Sequence, residues 1–390
     1  MTAYDRLLWA AYFTPMGPHS SGEEDWGARL LLWGPPGGGK TSACSRMART
    51  VGAQFLAIDS TVGEGALGAC PTPDFDAAVL RFLPAEFVAS FKPDAPGLLL
   101  CDDATTFEPA LQKYLLGLLL HKRIGFAYLP ARCRVWMAAN EVKDTPGGWE
   151  LAPAVANRPC HIDWPDAEVD DWCAFMLAGG LAGAVSNGVD AIAEEQRVLD
   201  MWPECWARAV GEMVAFSGAR RDLHRVQPPE DSAASHRAWP SPRTKEFATR
   251  ALASSYAHAL DAATTDTYVA GYVGSAFADE WSIWRSALDL PNAMGLLDGT
   301  ESFEHNPMRL DRTSAVLASC CSLMSNEQLR TKQRTKRLFT VLDSVSDDAL
   351  DLVAAVMIGG LHQCGLSRAP EARDLLRRLR PLLAATENMK

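Results

Sequence analysis

Two groups of residues could do chemistry together: a lysine–threonine pair behind a run of glycines, and two adjacent carboxylates further along the chain. Gly34-Pro35-Pro36-Gly37-Gly38-Gly39-Lys40-Thr41-Ser42 satisfies G-x-x-x-x-G-K-[ST], the spacing of a phosphate-binding loop. Glycines let successive N–H groups curl toward phosphate oxygens. Lys40 would bring a compact positive charge to the β- and γ-phosphates. The Thr41 hydroxyl is a hard oxygen ligand of the kind Mg2+ takes. Ser42 opens the following helix, whose N-terminus favours an anion. The expected ligands are therefore ATP and Mg2+.

The carboxylates close an apolar run, Gly97-Leu98-Leu99-Leu100-Cys101-Asp102-Asp103. Such a run predicts a buried strand with both acids at its C-terminal edge, where open α/β sheets bind ligands. Asp102 would hold Mg2+, directly or through water. Asp103 would orient or deprotonate the attacking water. A second run, Cys133 to Ala139, ends in Asn140, which would reach the same edge and hold that water.

The elements that must position these residues follow in order. Arg29–Trp33 predicts the strand before the loop, Gln54–Asp59 a second strand, and His161–Trp164 the last. Strand, loop, helix and strand in that order imply a parallel sheet with helices on both faces. Residues 61–84 carry many glycines and prolines and make an unusually long connection, expected to be functional. Arg123–Pro130 alternates around Gly125, as a hairpin would. From 166 onward the pattern is helical.

The order of Gly-Pro-Pro-Gly-Gly-Gly-Lys-Thr, Leu-Leu-Leu-Cys-Asp-Asp, Ala-Ala-Asn-Glu and Ala-Asn-Arg resembles the AAA+ ATPases. The insertion at 61–84 and the hairpin at 123–130 resemble the MoxR branch of the helix-2-insert clade. The resemblance covers 1–165 well and 166–290 more loosely. It implies an αβα parallel-sheet core at 1–165, an α-helical lid at 166–290 and a C-terminal helical domain at 291–390. It makes Lys40 and Thr41 Walker A, Asp102 and Asp103 Walker B, and Asn140 sensor 1. Arg158 would be the arginine finger serving a neighbour's nucleotide, and Arg243, in Trp239-Pro240-Ser241-Pro242-Arg243, the sensor 2 arginine. It further implies a homo-oligomeric ring, six subunits being the family's usual number, that hydrolyses ATP to remodel a client protein, with a von Willebrand factor A domain protein as the expected partner. One departure stands out: Walker B usually ends Asp-Glu, and Asp103 is one methylene shorter, about 1.5 Å of reach.

Composition narrows the alternatives. A net charge of −11 argues against broad DNA binding, so a nucleic-acid motor is the weaker reading. A nucleotide-dependent scaffold with little hydrolysis is the other. The ten cysteines form no C-x-x-C pair, which fits a reducing cytoplasm and gives no support for zinc. No run of 18 apolar residues and no leader pattern occurs, so membrane insertion is not expected.

Overall fold

Leucine-rich runs without polar alternation suit only strands covered on both faces. The structure, a computed structural model, describes residues 2–62, 67, 70–83, 86–145, 147–166, 168–180, 188–224, 228–230 and 232–387. Its central sheet has five parallel strands: β1 (Leu30–Trp33), β2 (Gln54–Ile58), β3 (Gly97–Cys101), β4 (Cys133–Ala139) and β5 (Cys160–Asp163). Their order across the sheet is β5-β1-β4-β3-β2. Every residue of β1, β3 and β4 is buried. Met137 of β4 pairs with Leu31 of β1 and with Cys101 of β3, and Ile58 of β2 pairs with Cys101. That register brings Gly34, Asp59, Asp102 and Asn140, each just past a strand, to one edge. The expected α/β core with a helical C-terminal region is thus the observed architecture.

Even β4 contains a charge, Arg134, which is fully buried. Its guanidinium bonds Glu195 at 2.7 Å and the Tyr12 carbonyl at 3.0 Å, and lies 4.1 Å from the Tyr12 ring centroid. The ion is tolerated because its donors find acceptors. Gly27 is needed beside it: a Cβ there would stand 2.3 Å from Arg134 Cγ.

Helices flank the sheet. Helix α1 (Ala3–Tyr12) starts with a capping box between Thr2 and Asp5. Helix α2 (Lys40–Thr50) follows the glycine loop. Helix α3 (Pro109–His121) carries proline at its first position, where no N–H is needed. The far end of α3 is tied to the start of β1 by a buried triad. Asp25 pairs with Arg29 and with Lys122, each at 2.5 Å. Burial pulls Lys122 down to about 8, whereas the two cations hold Asp25 at about 2 against the resistance of its own burial. The two shifts differ in sign of benefit because one carboxylate serves two cations. The charge of Asp25 is what both cations need.

Asp25→Asn should cost about 3–5 kcal/mol, because two buried cations lose their anion. Asp25's folded value lies below its ordinary 3.8, so its contribution is present above that pH and is lost as pH falls toward 2. Urea unfolding at pH 7 and pH 3 checks both: the variant's deficit should be large at pH 7 and smaller at pH 3.

The insertion at 61–84 contains a hairpin, Cys70–Asp74 against Val79–Leu83; residues 63–66, 68–69 and 84 of it lie outside the described residues. Pro71 and Pro73 conceal the first strand in the sequence, and they are tolerated because a two-stranded ribbon leaves an edge free of ladder partners. The second hairpin pairs Arg123–Ile124 with Ala127–Tyr128 around Gly125, at φ +57°.

By compactness the chain forms two units, Met1–Leu199 with Arg225–Ala278, and Asp200–His224 with Asp279–Lys390. The stretch 166–290 contributes to both. The second unit is helical around a core that includes Leu317, Cys320, Met324, Leu338, Leu342 and Leu375. Cys320 and Cys321 are buried free thiols there, and burial pushes Cys320 up to about 12. Among the described residues no helix is long and apolar enough to cross a membrane.

Candidate functional site

The glycine loop adopts left-handed backbone at Gly37 (φ +81°) and Gly39 (φ +82°), a conformation that β-carbons resist. Gly39 is the N-cap of α2, so Lys40 and Thr41 open the helix. The loop is held from β5's end: the Trp164 indole donates to the Gly38 carbonyl at 3.0 Å. Gly34 sits against that same tryptophan, where a Cβ would meet its carbonyl oxygen at 3.2 Å. Nothing in the residues around Trp164 announces this clasp.

Lys40 is 6% exposed. Its ammonium donates to Gly34 O at 2.8 Å, Pro35 O at 2.9 Å and Asn140 Oδ1 at 2.8 Å. Three donors thus meet three acceptors. Burial lowers its basicity, and the charges of Asp103 and Asp102 oppose that. Thr41 Oγ1 donates to Asp102 Oδ2 at 2.8 Å. A hydroxyl and a carboxylate one hydrogen bond apart are the hard oxygens that suit Mg2+, the hydroxyl directly and the acid directly or through water. Among the described residues no cluster of three or more His, Cys, Asp or Glu side chains forms a separate metal site.

Asn140 joins the two halves. Its oxygen accepts from Lys40, and its Nδ2 donates to Asp103 Oδ1 at 3.0 Å. Asp103 itself has left-handed backbone, φ +48° and ψ +49°, which Asp and Asn adopt far more readily than most residues. Burial raises its pKa first and the charge of Asp102 second, while Lys40 and Asn140 pull it down. Lys40, Thr41, Asp102, Asp103 and Asn140 therefore form one connected network at the sheet edge.

Arg237, absent from the sequence-based set, also comes to this edge. It pairs with Glu141 and, at 3.1 Å, with Asp163, and its guanidinium lies 4.0 Å from the ring centroid of Trp33, the residue before Gly34. Trp33 in turn donates to His161 Nδ1 at 2.9 Å. Burial pulls His161 down to about 4, so it is neutral and its Nε2–H faces the Ala156 carbonyl at 2.8 Å. The only sequence signal for Arg237 was proximity to the Trp239–Arg243 segment.

The two arginines expected to serve the phosphates stand together. Asn157 accepts from Ser241 Oγ at 2.8 Å and donates to Trp239 O, and this fastens the start of the helix Pro242–Ala257 beside Arg158. Arg158's basicity is lowered by burial first and by Arg243's charge second. Arg158 donates to the Ala154 carbonyl, but its buried Nε has no partner among the described residues. Arg158 also borders a cavity of about 390 Å³ with Lys113, Tyr114, Leu116, Leu120 and Arg123, on α3 and the hairpin after it.

No protein-family model matches the chain, and no curated protein matches it. Among solved structures, a "putative ATPase" from Cytophaga hutchinsonii ATCC 33406 is similar, with a TM-score of 0.43 and 16% identity over 72% of this chain and 78% of that one.

Proposed function

We propose that this protein binds ATP with Mg2+ and hydrolyses it as a MoxR-like AAA+ ATPase, working as a ring that remodels a client protein. The observation that carries the reading is the network running Thr41–Asp102–Asp103–Asn140–Lys40 at the C-terminal sheet edge. In this reading the loop amides and Lys40 hold the β- and γ-phosphates. Mg2+, when bound, offsets phosphate charge. Asp103 accepts a hydrogen bond from water and takes its proton as it attacks; Asn140 fixes the angle of that carboxylate. Arg158 and Arg243 act on a neighbouring copy's phosphates. A von Willebrand factor A domain partner is the client that the family resemblance suggests.

Phosphate release from ATP, with and without Mg2+ and with and without DNA, tests this. Turnover that needs Mg2+ and ignores DNA is expected. Turnover seen only with DNA favours a motor, and binding with no turnover favours a scaffold. Asp103→Asn should slow turnover about 10²–10⁴-fold while ATP affinity stays near normal. The same change should raise the melting temperature of the nucleotide-free protein. Asp103 carries a raised folded pKa, so at neutral pH its ionised form is held against a gradient that the amide removes. Asn also tolerates the left-handed backbone. A variant that melts lower than the parent would argue against this electrostatic account.

A further inference from the structure

Helix α4 (Val169–Leu177) has no buried residue. Val169, Trp172, Met176 and Leu177 are 73%, 56%, 52% and 89% exposed, and Cys173 between them is exposed as well. Positions 169, 172, 173, 176 and 177 recur at helical spacing, so they make one apolar stripe along α4. A stripe of this kind belongs in an interface. Its first turn is acidic, with Glu168 at the N-cap and Asp170 and Asp171 following.

The same compact unit carries a counterpart of opposite character. The 390 Å³ cavity on α3 combines apolar walls from Tyr114, Leu116 and Leu120 with the cations Lys113, Arg123 and Arg158. An apolar stripe with an acidic end matches an apolar cavity with a basic rim, and charge pairing of this kind fixes register between partners.

We infer that α4 of one copy docks into the α3 cavity of the next, a head-to-tail contact that brings the second copy's Arg158 to the first copy's nucleotide. The inference rests on the shared-site reading above and names the surfaces that create the shared site. A patch that fits a different patch on an identical molecule repeats around a ring or along a filament. Chain connectivity sets the geometry. Helix α4 begins five residues after Trp164, whose indole clasps Gly38, so α4 starts at most about 18 Å from the residue that holds the phosphate loop of its own chain. A neighbour that grips α4 is therefore held beside that loop, and Arg158 lines the grip.

Cys173 supplies a native probe on the stripe. The full-length Leu120→Cys variant is treated with a short bismaleimide, in Mg2+ and a non-hydrolysable ATP analogue. A ladder of covalent dimers and larger species is expected on a denaturing gel, and it should vanish in Leu120→Cys/Cys173→Ser. A ladder that persists in the double variant, or no ladder at all, overturns the contact. So does a Cys173 that resists a monofunctional maleimide in dilute monomer, since another part of the chain then covers the stripe. Coupling of Cys173 to lipid vesicles or to a client, without self-coupling, overturns it too. Trp172→Glu should raise the protein concentration for half-assembly by about 30-fold or more, with ATP affinity in calorimetry unchanged; unaltered assembly counts against the docking. The ladder does not need hydrolysis. A ladder without phosphate release refutes the enzymatic reading alone, and phosphate release without a ladder refutes this contact alone.

Discussion

Lys40→Ala should abolish measurable ATP binding. The ammonium is the one compact cation inside the glycine loop, and its three hydrogen bonds to Gly34 O, Pro35 O and Asn140 Oδ1 hold it where phosphate oxygens would arrive. A charge-assisted bond of this kind is roughly twice as strong as a neutral one, and the site is partly withdrawn from water. Isothermal calorimetry with Mg2+ should therefore show at least about a 100-fold loss of affinity, equivalent to about 2.7 kcal/mol. The fold should survive, because burial lowers Lys40's basicity and alanine relieves that cost. Unfolding of the variant would show that the lysine's first duty is structural; near-normal affinity would remove the loop from the nucleotide site.

Arg158→Ala should leave ATP binding nearly intact and slow hydrolysis by about 10³-fold or more, the scale set by arginines supplied in trans to GTPases. The structure gives this prediction a physical footing. Arg158 contacts none of Lys40, Asp102 or Asp103 in the hydrogen bonds and ion pairs of the described residues, and it lines a cavity on α3 instead. It also stands beside Arg243, whose charge adds to burial in disfavouring the charged form of Arg158 until an anion arrives. Two adjacent arginines facing a triphosphate would relieve that repulsion. Mixing Arg158→Ala with Lys40→Ala should restore part of the activity, because an intact Arg158 can then serve an intact Lys40. Failure of the mixture to recover any turnover, with both variants assembled, would sink the shared site. Arg243→Ala should fall in the same class and complement in the same way.

The parts legible in the sequence were those encoded by neighbouring residues. The glycine loop is contiguous, so spacing alone points to its curl and to Lys40 at the helix start. The unbroken apolar runs before Asp102 and Asn140 could only be doubly covered strands, and their common direction follows from the connections. The rest depends on contacts between distant segments. Arg237 meets Glu141 and Asp163 across 96 and 74 residues, and nothing near it announces that pairing. Trp164 reaches the loop across 126 residues. Arg158 and Arg243 are neighbours only because Asn157 fastens the start of the helix Pro242–Ala257. The short acid at 103 looked like a loss of reach. Its left-handed backbone supplies a different reason, since glutamate is less at ease there than aspartate. Restoring the length with Asp103→Glu therefore adds strain as well as reach.

The Asn140 amide has a consequence for how this site can change over generations. One planar group holds the lysine proposed to grip phosphate and the acid proposed to meet water, with opposite ends of the same dipole. A replacement that suits one end misfits the other: aspartate would keep an acceptor for Lys40 and set a like charge against Asp103, and a hydroxyl would be too short to span both. Grip and turnover are thus inherited together at this position. Lineages that slow the reaction while retaining the nucleotide would have to do so through Asp103 or the arginines, where the two properties come apart.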